Sequence, residues 1–483
     1  MKKQHYLKVI STIIGLIISF SLYSQKEANN WLCSNFGLKF QNDSVILQQD
    51  YAVEDGMGVG IISDHNGNLL FYTDGFTVWN ANHDQMPHGN ELIPKGGSYV
   101  RETIIIPKPG TESIFYIFTV DPKFNQESSG LYFSIVDMSL DNGLGNITEK
   151  GVRILNDTSN KITAVLHKNK KDVWLITHKF KTNSYYSYLI TDAGISESPV
   201  ISSVGHVVTS SFNGQLKASP DGRMIACSYY EWNDESTDFD LFSFNSSTGQ
   251  LYNPMSFKLP VSEYSGDGLE FSSDASKLFV IQQGGGLYQY NLKNNTYDEI
   301  ANSQMLLSYP DYNIYVNLQL APNGKIYITK GGGSGGEAHL GVIENPNEYG
   351  EKCIILENGF YLGEKATSVT RLSHFIQNYF FSPNFVVDNN CQGTDINFGI
   401  TNDYNLDSVR WNFGDGSSTN DINPVVKYQS SGEYIIQMIA YYPGYSDTIT
   451  KNITIHPFPV FKLNSDSAVC RGAELSVPAK FKS

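Results

Sequence analysis

Charge is scarce in this chain. Of 483 residues only 17% are Asp, Glu, Lys or Arg, and 49 acidic residues outnumber 34 basic ones, for a formal net charge of −15 at pH 7. No basic stripe offsets the excess, which argues against nucleic acid and anionic membrane as partners. Long apolar runs are also missing after the first two dozen residues, so no transmembrane segment is expected in the mature chain. Cysteine is limited to Cys33, Cys227, Cys353, Cys391 and Cys470. An odd number at wide spacing does not make a disulfide framework. No HExxH motif, EF-hand loop or sustained helical periodicity occurs. What is abundant is aromatic: 27 Phe, 30 Tyr and 5 Trp suit many half-buried strands and argue against disorder.

The exception to the polar background is the N-terminus. Lys2, Lys3 and Lys8 precede an apolar run from Val9 to Leu22, and Ser24-Gln25 offers a small-residue cleavage point. Residues 1–24 read as a signal peptide, because a run of about 14 residues is short for a membrane span. Export to a secreted or cell-surface location follows as an expectation.

A turn-plus-strand unit then recurs. It is clearest in Leu216-Lys217-Ala218-Ser219-Pro220-Asp221-Gly222, where Pro presets φ and Gly accepts a positive φ between two half-apolar runs. Further copies lie at Ser63-Asp64-His65-Asn66-Gly67, Ser272-Ser273-Asp274-Ala275 and Ala321-Pro322-Asn323-Gly324, with degenerate ones near Lys108 and His167. Copies recur at intervals of roughly 44 to 60 residues, a period that indicates a β-propeller of WD40-like repeats. Residues 31–381 are therefore expected to form an all-β propeller. Seven blades are favoured if strands near Phe36–Phe40 and Phe375–Phe380 complete a unit, and six is the alternative. Cys33 and Cys353 lie near opposite ends of this region. A disulfide between them would close the ring, and two free buried thiols are the other reading.

After Ser382-Pro383-Asn384 the pattern changes. Residues 382–390 read as a linker, and 391–456 as a small β-sandwich in which Trp411 and Phe413 share one face and Gly414-Asp415-Gly416 makes a hairpin turn. Cys391-Gln392-Gly393 returns as Cys470-Arg471-Gly472, so 457–483 read as the start of a further, truncated module of a longer protein.

Catalytic motifs are thin. Gly332-Gly333-Ser334-Gly335-Gly336 fits a nucleophile elbow, yet a strand rather than a helix follows, and a hairpin loop accounts for it. No further zinc ligand at a recognisable spacing accompanies His83, Asp84 and His88, and surface loop histidines are the plainer reading. Asp234, Asp238 and Asp240, in the densest acidic cluster, are the candidate calcium ligands; a solvated loop is the plainer reading. Tyr229, Tyr230 and Trp232 beside them could stack on a sugar, against ordinary strand packing. Asn-x-Ser/Thr triplets such as that at Asn146 read as polar turns.

Two resemblances join these observations. Trp411, Phe413, Gly414, Asp415, Gly416, Tyr428, Gly432 and Tyr434 resemble the motif of PKD domains, immunoglobulin-like sandwiches of surface proteins, with Lys427 where His or Thr is usual. Gly67-Asn68-Leu69-Leu70-Phe71-Tyr72-Thr73-Asp74-Gly75, Tyr116 to Asp121 and Leu340 to Asn347 resemble the propeller-like N-terminal region of gliding-motility-associated secreted proteins. Such proteins often end in a type IX secretion sorting domain, which this sequence lacks. The resemblance implies a non-enzymatic adhesive or structural role with a surface protein or glycan as partner. It brings no catalytic residue and no cofactor beyond calcium. The competing expectation is a propeller hydrolase or lyase acting on polysaccharide. It predicts that several of Asp74, Glu102, His178, Glu270 and Arg371 lie within hydrogen-bonding reach of one another at the mouth of a central channel.

Overall fold

The structure, a computed structural model, describes residues 26–457 except 34–35, 42–43, 50, 54–58, 94–101, 122–129, 209–213, 230–237, 261–265, 283–285, 294–295, 310–313, 332–337, 364–371, 402, 404–405 and 443–444. The chain is all-β. Seven antiparallel sheets follow one another in sequence. Sheet 1 opens with Asn30–Cys33, sheet 2 with Gly60–Ser63, sheet 3 with Glu102–Pro107 and sheet 4 with Thr158–Leu166. Sheets 5, 6 and 7 open with Leu216–Ala218, Gly266–Phe271 and Ile314–Leu320. The opening strands lie against one another in chain order, so each is an inner strand.

The repeated turn joins inner to second strand in sheets 2 to 7, and its chemistry explains the recurrence. Gly222 N donates to Ser219 O at 2.8 Å, and Ser219 Oγ donates to Asp221 Oδ1 at 2.6 Å while accepting from Met224 N at 2.9 Å. The fourth residue turns with positive φ: +85° at Gly67, +71° at Gly222 and +74° at Gly324. In sheet 6 that place is Ala275 at +56°, an alanine held in a conformation that favours glycine.

Each interface between neighbouring sheets is a hydrophobic core. Ile62, Phe71, Ile105 and Ile117 join sheets 2 and 3. Ile104, Phe118, Ile162 and Leu175 join 3 and 4. Ile176, Tyr185, Ile225 and Phe242 join 4 and 5, and Leu241, Phe257, Leu278 and Tyr290 join 5 and 6. The largest cluster contains Phe279 of sheet 6, Leu318 and Tyr327 of sheet 7, Trp31 and Phe40 of sheet 1, and Ile61 of sheet 2. The first and last sheets thus share one core.

From Leu372 the chain returns along the inner strands. His374 pairs in parallel with Ile104, and Ile376 with Ala164. Ser373 Oγ accepts from Leu32 N at 3.1 Å; Asn378 Oδ1 accepts from Leu166 N at 2.6 Å, and Asn378 Nδ2 donates to Pro220 O at 2.8 Å. This strap leads into two further sheets that share a core with Trp411, Phe413 and Met438. Phe381 is buried in that core, and Phe385–Val387 is one of its strands. Residues 382–390 are therefore not the linker read from the sequence: burying Phe385 at the sandwich core orders them.

Candidate functional site

The inner strands carry an unusual amount of buried polarity. Lys217 Nζ, with no solvent exposure, donates to Glu270 Oε2 at 2.9 Å and to Gln319 Oε1 at 2.6 Å. Glu270 also accepts from Phe271 N at 2.9 Å and Leu320 N at 3.1 Å. These three side chains stand two residues before the turn in sheets 5, 6 and 7. In sheets 2, 3 and 4 the same repeat position holds Ile62, Ile106 and Val165. Glu102 pairs with the strap, its Oε2 lying 2.7 Å from His374 Nε2.

Among the described residues, Asp74, Glu102, His178 and Glu270 each have a local partner. Asp74 accepts from Phe76 N and Thr77 N at 2.8 and 2.6 Å, as a turn cap. Glu102 faces His374, and Glu270 faces Lys217. His178 Nδ1 lies 3.2 Å from Ser159 Oγ and packs edge-on to Tyr185. Burial, reinforced by the nearby Lys161 charge, pushes the His178 pKa down to about 3. Arg371 and Ser334 lie outside the described residues. Each of the four described groups is engaged by its own partner, an arrangement suited to holding strands in place.

The other sequence candidates are placed as follows. Asp238 Oδ2 accepts from Leu259 N at 2.6 Å; Asp240 Oδ2 accepts from His206 N at 2.7 Å and from Tyr229 OH at 2.8 Å. Asp234 is outside the described residues. Asp238 and Asp240 each commit one carboxylate oxygen to N–H or O–H donors. Among the described residues no group of three or more His, Cys, Asp or Glu is arranged to hold a metal. Tyr229 is buried and meets Tyr185 OH at 3.1 Å, so it is a core residue rather than a stacking platform; Tyr230 and Trp232 are outside the described residues. His83 meets Tyr72 OH and His88 meets Asn146, 3.0 and 2.9 Å away. Cys33 and Cys353 are both buried free thiols, not a bridge. Both lie in the shared core, Cys33 on the strand Asn30–Cys33 and Cys353 in the short helix Gly350–Cys353, and burial raises both pKa values, that of Cys353 to about 12.

In the sandwich, Trp411 stacks on Phe413 at 5.9 Å and donates Nε1–H to Asp421 O at 2.9 Å. Tyr428 OH donates to Phe413 O at 2.9 Å, and the Tyr434 ring lies 4.3 Å from that of Tyr428. Gly414 sits at φ +73°, where a Cβ would meet Ile435 O at 2.7 Å. Gly416 and Gly432 also have positive φ, and Asp415 Oδ1 accepts from Ser417 N at 2.8 Å. Trp411, Phe413 and Tyr428 lie in the core shared by the two further sheets, with Tyr434 packed against it.

Sandwich and turns meet at a cleft of about 700 Å³, lined by Pro322, Asn323, Asn345, Glu348, Asp447 and Lys451 among others. Burial raises the Asp447 pKa and lowers that of Lys451, whose Nζ donates to Phe385 O at 2.8 Å. Lys170 Nζ lies 5.9 Å from the centre of the Tyr442 ring, a second contact between sandwich and turns.

No family model and no curated protein matches the sequence. Solved β-propellers are similar in structure. Kluyveromyces lactis Hsv2 has a TM-score of 0.38 and 11% identity, covering 63% of this chain and 87% of its own. The β-propeller domain of Myceliophteria thermophila Cps50 (Swd1) has 0.37 and 11%, covering 63% of this chain and 94% of its own. The C-terminal WD40 domain of Sif2 has 0.35 and 12%, over 66% and 76%. No helix among the described residues is long and apolar enough to cross a membrane.

Proposed function

We propose that the protein is an exported, non-enzymatic binding protein of the cell surface or extracellular space. On this reading the seven sheets are blades of one closed propeller, and the following module is a PKD sandwich. The shared core of sheets 1, 6 and 7 supports closure, and the Trp411–Gly416 hairpin with Tyr428 supports the module.

One observation carries the functional reading. The strap is bonded to inner strands or turns of sheets 1, 3, 4, 5 and 6, and the sandwich docks over the turns. On this reading the strap fills the centre and the sandwich covers part of one face. Ligand contact then falls to the opposite face, which carries the strand ends at Asp121, Gly130, Ser228, Phe239, Gly331 and His339. Connections held on a rigid scaffold are where binding residues concentrate. The polysaccharide hydrolase or lyase gains no support, because its acids and histidine are each bonded elsewhere.

Protease treatment of intact producing cells, followed by a glycan array and a surface-protein array probed with the full chain, tests this. Expected are loss of the protein from intact cells and binding on one array. Retention inside the cell, or polysaccharide cleavage by the purified chain, would overturn it.

A further inference from the structure

We propose that the groove between the outer parts of sheets 3 and 4 receives an apolar side chain of a partner protein that carries lysine or arginine beside it. The inference does not depend on the function proposed above.

Irregular outer strands open the groove. Asn146–Asn156, the outer strand of sheet 3, slips register three times against Gly130–Asp137, whereas the outer strands of sheets 5, 6 and 7 slip once each. The outer layer of sheet 4 is split. Gly194–Ile195 and Val200–Ser203 pair with opposite ends of Ser184–Thr191, and Ser196 to Pro199 run between them. Bulged edges of this kind re-aim side chains and recur beside functional sites. The space between the two sheets measures about 540 Å³.

The register puts its lining on two facing surfaces. Tyr116 pairs with Ile135, and Ile135 with Glu149, so these three side chains share the face of sheet 3 that meets sheet 4. Across from them stand Tyr188 and Ile195, the latter paired with Ile190 of the same core. Tyr188 OH donates to Ile154 O at 3.3 Å and ties the two walls together.

Burial and charge identify the occupant. Tyr116 and Tyr188 are each only 4% exposed, so neither offers the open ring face on which a sugar stacks. The half-buried Phe133, Ile135, Ile154 and Ile195 leave an apolar slot between them. Glu149 and Glu197, both exposed, are the charged residues of the lining. The Glu149 charge acts on the Tyr116 hydroxyl, and with burial it raises that pKa. An apolar group alone leaves both carboxylates unused, and an anionic surface is repelled by them. A second copy would bring a net charge of −15 to the contact. An apolar side chain beside lysine or arginine, on another protein, satisfies the slot and its acids together.

Panning a random-peptide phage library against the full chain tests this. Selected peptides should place Leu, Ile, Met or Phe next to Lys or Arg. Carbodiimide coupling of the lysine-containing ones, mapped by mass spectrometry, should join them to Glu149 or Glu197. Their affinity, read by fluorescence anisotropy, should fall about tenfold in Glu149→Lys with Glu197→Lys and in Ile195→Asp. It should stay unchanged in Glu112→Lys with Asp298→Lys, the same charge change made elsewhere on the surface. The Glu149 and Glu197 variant keeps the apolar walls, so it decides even where Ile195→Asp fails to fold. No selected peptides, peptides without this pairing, coupling only at other carboxylates, coupling of these glutamates to a second copy of the chain, or undiminished affinity in the charge-reversed variant would overturn the proposal.

Discussion

Tyr327 of sheet 7 places its ring 5.6 Å from that of Trp31 in sheet 1, edge-on at 78°, and Phe40 completes the group at 5.6 Å from Tyr327. Residues from opposite ends of the repeat region therefore bury each other. Open sheet edges invite aggregation, and a shared core between first and last sheets is one way to avoid them.

The strap should be worth several kcal/mol. Asn378→Ala leaves Leu166 N and Pro220 O without their partner and is expected to cost about 2–4 kcal/mol. A shift of the denaturation midpoint at unchanged slope checks this; a loss under about 0.5 kcal/mol would mean the strap is not bonded as described.

Lys217 and Glu270 should behave as a buried pair. Lys217→Met strands a buried carboxylate and is expected to cost about 3–5 kcal/mol, whereas Lys217→Met with Glu270→Leu should cost less than that single change. Equilibrium unfolding of both variants decides, and a double variant worse than Lys217→Met would refute the pairing.

His178 should make the fold acid-sensitive. Its native pKa, about 3, lies below the unfolded value of 6.5, so below pH 6.5 the unfolded chain takes up a proton that the native one refuses. Stability from this residue is complete above 6.5 and lost progressively toward pH 3. Between pH 6.5 and 4.5 wild type should lose about 2–3 kcal/mol more than His178→Gln. Parallel pH profiles would contradict the assignment.

Thiol chemistry should separate Cys391 from the other described cysteines. Cys33, Cys227 and Cys353 are buried, with burial pushing Cys227 up to about 11, while Cys391 is exposed. Maleimide labelling of native protein, read by peptide mapping, should modify Cys391 rapidly and the other three only after unfolding. A Cys33–Cys353 disulfide in non-reduced peptides would contradict the structure.

Much of the fold could be read from local chemistry, because each inner turn is specified within four residues. Ser219-Pro220-Asp221-Gly222 announces its hydrogen bonds, and Trp411 to Gly416 announces its hairpin. The strap could not be read in this way. Ser373, His374 and Asn378 work through partners at Leu32, Glu102 and Leu166, hundreds of residues away, and no local period encodes such pairing. The Lys217–Glu270–Gln319 group was open to reading, since aligning the repeat units on their turns puts all three at one position. What hid it was that Lys, Glu and Gln at a strand end look like surface residues until the neighbouring copies are seen to satisfy them. Asp238 and Asp240 show the opposite: an acidic run suggests a cation, and the fold gives one oxygen of each to N–H and O–H donors.

Closure of the ring is best measured by a double-mutant cycle on Trp31→Phe and Tyr327→Leu in the full chain, read by equilibrium denaturation. A closed ring predicts a coupling energy of about 0.5–1.5 kcal/mol between the two rings. Losses that simply add, to within about 0.3 kcal/mol, would show that the first and seventh sheets do not meet.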